Sequence, residues 1–312
     1  MDEPDEIDPA SNLPVFEFSS AIFEELQKGS PPDPLYHYTG QEGLLGIITD
    51  GELRATKVQY MNDSTEFGRA INLARQEIDK RTQNSNDRDR GLFASLTKNI
   101  TRIANINVCS VSFCRNPDLL SQWRGYSGSG VGYAIGFCSA ALLEVAHDNN
   151  CRLGRCIYDE LAQVKIVNEL MDQVVYQAAR HRASHAYTVN VTLASAFEKA
   201  LIKLGAFFKD AAFSEEDEWR IVTDVKFYKE KSFGFRAGKS MLVPFYKLDV
   251  MAKSWKNKIT DVMIGPCPHP DLSRDAIAGL FINQWVTTDG WASTVVSQHP
   301  EVRISKIPYR SW

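Results

Sequence analysis

Apolar residues recur at two different periods along this chain, and the switches between them mark out its elements. "LYHYT", residues 35–39, reads as a strand, and 41–50 reads as an amphipathic helix closed by Gly51. Residues 52–60 read as extended. Asn62, Asp63 or Ser64 caps a helix in which Phe67, Ile71 and Ala74 keep a helical apolar spacing. A helix over about 91–104 precedes the β-rich run "NINVCSVSF". "CRNPDLLSQWRGYSGSG" reads as a loop punctuated by Pro and Gly, with room for one helical turn, and "VGYAIGF" alternates like a strand.

The second half repeats the alternation. A helix leads to the strand "CRLGRCIYD", and helices follow over 160–182 and 190–208. "EWRIVTDV", "FGFRA", "SMLVPFYKLDV" and "ITDVMIG" then read as successive strands, "DLSRDAIAGLFINQW" as a helix and "VRISKIPYR" as a last strand. The expected class is α+β, with helices inserted between strands. Two units are expected: an N-terminal lead-in over 1–30, disordered or helical, and one domain over 31–312 with a helical insertion at about 160–208.

Composition narrows the class without naming a function. The 312 residues are 44% hydrophobic and 24% charged, ordinary for a soluble globular chain. A net charge of −4 argues against gripping long duplexes by the overall field, but leaves room for a local basic groove. No run is long enough to span a bilayer, and the acidic start "MDEPDEIDPASNLP" lacks the basic and apolar regions of a signal peptide. With six cysteines and no such signal, reduced thiols in a cytosol are expected. Cys109/Cys114 and Cys151/Cys156 are spaced too widely for a usual zinc finger, so no metal is expected.

Three stretches carry candidate chemistry, each with a plainer reading beside it. His37 sits between two tyrosines in a strand, where it is either a satisfied core residue or a ring that donates to a ribose hydroxyl, with Thr39 on the same side. In "SEEDEWR", Glu216 and Glu218 share one strand face. They are either a solvated charged run, or a carboxylate that steadies an oxocarbenium-like centre and a second that positions an acceptor. Trp123, Arg124 and Tyr126 precede a Gly/Ser turn; Arg124 suits a phosphate, and either aromatic suits a flat ring. Lys80, Arg81, Arg88, Arg90, Lys98 and Arg102 gather near one loop, as a solvated face or as a guide for a polyanion.

In order, these stretches resemble a known family. "YHYT" followed by "GLLGIITDGELRAT" is similar to the opening of the ADP-ribosyltransferase superfamily in its His-Tyr-Glu branch, shared by poly(ADP-ribose) polymerases and DarT-type toxins. "YMNDSTEF", "SVSFC", "LLSQWRGYSGSGVGYAIGF", "DEWRIV" and "ITDVMIGPCPHPDLSRDAI" together resemble the bacterial family of unknown function numbered 2971, over roughly 35–285. The resemblance implies a split two-sheet α+β fold that binds NAD between the sheets. It implies His37 on a ribose with Tyr38 and Thr39 beside it, Glu218 as the catalytic carboxylate, and Glu216 as an acceptor-side acid. Arg124 is then expected on the pyrophosphate and Tyr60, or next Tyr126, on nicotinamide, with Trp123 nearby. Tyr38 stands where the polymerases have glycine. The expected activity is transfer of ADP-ribose from NAD to a protein or nucleic acid, in a cytoplasmic toxin or phage-defence effector with an antitoxin or immunity partner. An NAD glycohydrolase and a non-catalytic nucleotide-binding module are the alternatives.

Overall fold

The computed structural model describes residues 7–8, 13–61, 64–85, 89–103, 106–126, 130–181, 186–238, 240–250, 258–285 and 300–308. Asn62, Asp63 and Arg88 lie outside them. Ile7–Asp8 (β1) and Leu13–Pro14 (β2) form a small antiparallel pair. Ala21–Leu26 (α1) follows, with the buried Ser20 hydroxyl accepting from the Phe23 amide and donating to Glu169. Phe23 is wholly buried, so the lead-in helix is part of the core.

The sequence pattern is followed closely from there. Leu35–Thr39 (β3) leads into Gln41–Asp50 (α2), and Gly51 ends that helix in the left-handed region at φ 67°, where glycine carries no steric penalty. Glu52–Lys57 (β4) is shorter than expected: the chain closes into a single turn over Val58–Tyr60 before Ser64–Gln83 (α3). Arg90–Arg102 (α4), Cys109–Cys114 (β5), Leu120–Tyr126 (α5), Tyr133–Phe137 (β6), Ser139–Asp148 (α6) and Cys151–Arg155 (β7) come next. The long helices are Glu160–Arg180 (α7) and Ala186–Gly205 (α8). The chain continues through Glu218–Thr223 (β8), Phe233–Ala237 (β9), Leu242–Asp249 (β10), Ile259–Ile264 (β11), Pro270–Trp285 (α9) and Glu301–Ile304 (β12).

Ten strands form one mixed sheet in the order β12-β11-β6-β3-β5-β4-β10-β9, with β8 on β5 and β7 on β8. Pairings are antiparallel except β11 with β12. The fold is therefore mixed α+β. Side chains of α2, α6 and α9 pack on one face of the sheet with Val111, Phe113, Ile135 and Ile221. The other face carries α3, α4, α7 and α8 through Val108 and Val222, and α5 through Trp123, Tyr36 and Tyr38.

The sheet parts at β5. Strand β8 lines one edge of β5 from Ser110 to Cys114. The other edge is shared: β4 takes Cys109 and Ser110, while β3 touches it only through Tyr36 opposite Cys114. Between those contacts the β5 edge at Val111, Ser112 and Phe113 has no strand partner among the described residues. A six-stranded part (β9-β10-β4-β5-β8-β7) thus joins a four-stranded part (β3-β6-β11-β12) at one residue pair.

Candidate active site

His37 spans the seam. Its Nδ1 lies 3.0 Å from the Ser112 carbonyl oxygen, on the unpaired stretch of the β5 edge. A carbonyl only accepts, so Nδ1 carries the hydrogen and the neutral ring's Nε2 is an acceptor. Burial lowers the His37 pKa, the Ser112 bond opposes this, and Arg236 lowers it further. A neutral ring so held offers Nε2 to a hydrogen-bond donor and has no second N–H of its own to give. On the same strand face, the Thr39 hydroxyl lies against Gly43 of α2, where an added Cβ would collide with it. Helix α2 can approach β3 only because residue 43 is glycine.

Glu218 belongs to a different environment. It opens β8 after Asp217, whose left-handed φ of 38° is a conformation that Asp tolerates better than most residues. Arg155 holds Asp217 at 3.0 Å. The Glu218 amide donates to the Tyr158 hydroxyl at 2.9 Å, and its carbonyl accepts from the Cys156 amide at 2.8 Å. Its carboxylate accepts from Arg220 Nε at 2.7 Å on Oε1, and from Arg220 and Lys209 on Oε2. Lys209 also donates to Glu216 at 2.6 Å, and Arg220 to the Ala206 carbonyl at 2.7 Å. All four charged groups are largely buried, and their charges cancel. Burial alone would raise the Glu218 pKa, but the Arg220 and Lys209 charges overcome it and hold the carboxyl at about 2.

Strand register separates these two groups. Tyr36, Cys114 and Glu218 pair across three strands and share one face. His37 is one residue along, pairs with Ile135, and turns its ring to Phe113 at 5.8 Å on the other face. The two meet only at the seam, where Ser112, bonded to His37, pairs with Arg220.

The remaining expected residues are distributed unevenly. Tyr126 stands near Glu218: burial, then the Glu218 charge, raises its pKa, while the ring stays 38% exposed. Trp123 is 0% exposed, with its Nε1 donating to Asp118 at 2.7 Å and its ring edge-on to Tyr38 at 4.8 Å, so it has no face open to a ligand. Tyr38 is equally enclosed, donating to the Asn116 carbonyl at 2.7 Å and accepting from the Leu119 amide. Tyr60 is exposed, with Lys57 Nζ 5.9 Å from its ring centroid. Arg124 lies on the exposed side of α5. Lys80 and Arg81 of the basic group are engaged by Glu77 and Asp172.

Sequence reasoning gave no role to Lys209, Arg54 or Arg236. Arg236 donates to the Thr56 hydroxyl at 3.3 Å, and Arg54 lies 5.3 Å over the Phe245 ring. Burial and the neighbouring Arg54 charge lower the Arg236 pKa, and Glu42 opposes them. Neither guanidinium has a carboxylate ion pair among the described residues. Ser110, paired with Thr56 on this face, has a buried hydroxyl with no hydrogen-bond partner among the described residues. The i, i+2 spacing of Glu218 and Arg220 was a readable signal; a lone lysine nine residues upstream was not. A surface cavity of about 510 Å³ lies elsewhere, lined by Met263, Arg274, Arg303 and Lys306, and shares no residue with the seam.

Residues 122–221, from α5 to β8, match the family model described as "Protein of unknown function (DUF2971)". The stretch holds Glu218 and Arg220 and leaves His37 and the seam-side arginines outside it. No curated protein and no solved structure matches the chain.

Proposed function

We propose that this chain is an ADP-ribosyltransferase of the superfamily its opening motifs resemble, using NAD as donor. The observation that carries the reading is the parting of the sheet at β5, with His37 bonded across the gap. A split sheet with His on the opening strand and Glu at the start of a later one is what the resemblance implies.

In this reading NAD lies in the seam. Nε2 of His37 accepts a ribose hydroxyl, and Arg236 and Arg54 take the pyrophosphate, a role first expected of Arg124. Glu218 is ionised throughout the working pH range. Three of its roughly four lone-pair sites are filled, so one on Oε1 remains for a ribose hydroxyl. As the bond from the anomeric carbon to nicotinamide breaks, nicotinamide leaves neutral and positive charge grows on the sugar. The fixed carboxylate steadies that charge without reorganising. An acceptor nucleophile then bonds to the anomeric carbon and gives its proton to water. Tyr126, with its exposed ring, is the better placed of the two tyrosines to cover nicotinamide.

The test is mass spectrometry after mixing the protein with NAD and separate protein, DNA and RNA pools. An adduct of ADP-ribose on one pool, absent with Glu218→Gln that melts cooperatively, supports the proposal. Free ADP-ribose alone points to hydrolysis, and intact NAD with every pool contradicts the reading.

A further inference from the structure

The segment running into β9 and back along β10 stands out from the rest of the chain. Residues 224–247 hold six cations (Lys226, Lys229, Lys231, Arg236, Lys239 and Lys247) against two acids, Asp224 and Glu230. That is a local excess of +4 in a chain whose net charge is −4. The two acids are already engaged. Asp224 pairs with Lys203 at 3.2 Å, and Glu230 accepts from the Tyr246 hydroxyl and the Phe227 amide. Lys247 pairs with Glu52. Lys229 and Lys231 have no carboxylate partner among the described residues.

Aromatic rings are interleaved with these cations, and they face water. Phe227 is 70% exposed, Phe235 59% and Tyr228 49%. Tyr228 and Phe235 lie nearly parallel, at 17° and 6.1 Å between centroids. The platform is held from below: Lys57 donates to the Tyr228 hydroxyl at 3.1 Å, and Phe233 packs edge-on under Tyr228 at 4.8 Å. Strand β9 is the outer strand of the sheet, so the rings lie at an open rim. Three rings left in water by a folded hairpin are a cost that a solvated turn would avoid.

We infer that this rim binds single-stranded nucleic acid, whose bases stack on Phe227, Tyr228 and Phe235 while its phosphates meet Lys229 and Lys231. Unpaired bases offer flat faces that a duplex hides within its stack, and sequence-tolerant binding of single strands combines aromatic platforms with cations in this way. A second copy of the chain is the weaker occupant, because the pairing would bring the lysines of two like-charged rims together. The inference goes beyond the NAD reading and does not depend on it.

The experiment is fluorescence anisotropy with fluorescein-labelled DNA and RNA strands of about 20 nucleotides, and the matching duplexes. Single strands are expected to bind more tightly than duplex. Affinity should fall on the order of tenfold between about 50 and 200 mM salt if about two phosphates are neutralised. Phe227→Ala with Phe235→Ala should weaken binding by roughly tenfold or more at unchanged melting temperature. Lys229→Glu with Lys231→Glu should flatten the salt dependence. The inference is overturned by absent binding, by equal affinity for duplex, or by variants that bind as the wild type does. It is also overturned if sedimentation shows a dimer that Phe235→Ala dissociates. NAD turnover is read separately with these variants, so either proposal can fail alone.

Discussion

The charged groups of the Glu218 cluster and those of the seam differ in one respect that decides what each can do. Around Glu218, two acids and two bases are buried, cancel in charge and bond one another. At the seam, Arg54 and Arg236 stand near each other with no carboxylate ion pair among the described residues, beside a neutral histidine whose Nε2 is an acceptor and a buried serine hydroxyl with no hydrogen-bond partner among the described residues. A satisfied buried network fixes a position, whereas an unsatisfied polar group at an opening favours a ligand that completes it. Glu218 is thus a preset charge, and the seam is where binding energy remains to be gained.

Breaking the satisfied cluster should have the largest effect. Lys209→Met removes the base that buried Glu216 and Glu218 share, and should cost about 3–5 kcal/mol by urea denaturation. Glu218 also sets an acid limit. Its folded pKa lies below its unfolded value, so its stabilisation is complete above about 4.5 and is lost as pH falls towards about 2. Gly43→Ala should come next, at about 1–3 kcal/mol, because its Cβ meets the Thr39 hydroxyl and pushes α2 from β3.

Glu198 sharpens the comparison from the other side. It is buried on α8, and burial raises its pKa to about 7 although Arg102 and Lys199 pull it down. The folded chain therefore holds a proton that the unfolded chain releases between about 4.5 and about 7, and this group's stabilisation is lost as pH rises through that window. Glu198→Gln should stabilise by on the order of 1 kcal/mol at pH 8, with the gain vanishing near pH 4, as followed by melting temperature. Arg236→Ala is the smallest change in stability, within about 0.5 kcal/mol, because the residue is exposed and has no carboxylate ion pair among the described residues.

Much of this architecture was legible because strands and helices are short-range patterns. "LYHYT", "CSVSFC" and "EWRIVT" alternate, and each became a strand near its expected bounds. The stretch around Trp123 reads as a loop with room for one helical turn and folds as α5, with the indole nitrogen of Trp123 satisfied by Asp118 five residues back. That closure turned a candidate stacking ring into a core residue. The seam was invisible from sequence, since it depends on β3 and β4 sharing one edge of β5 across long separations. Lys209 was missed for the same reason: nothing around it signals that the chain will return Glu218 to it.

The central claim, that NAD occupies the seam, is tested most directly by calorimetric titration of NAD into the wild-type chain, His37→Ala and Arg236→Ala, each checked for an intact melting transition. Binding needs no acceptor, so the result does not wait on finding one. The account predicts saturable binding by the wild type and at least tenfold weaker binding by each variant. Absent binding, or equal affinity in all three proteins, would contradict it.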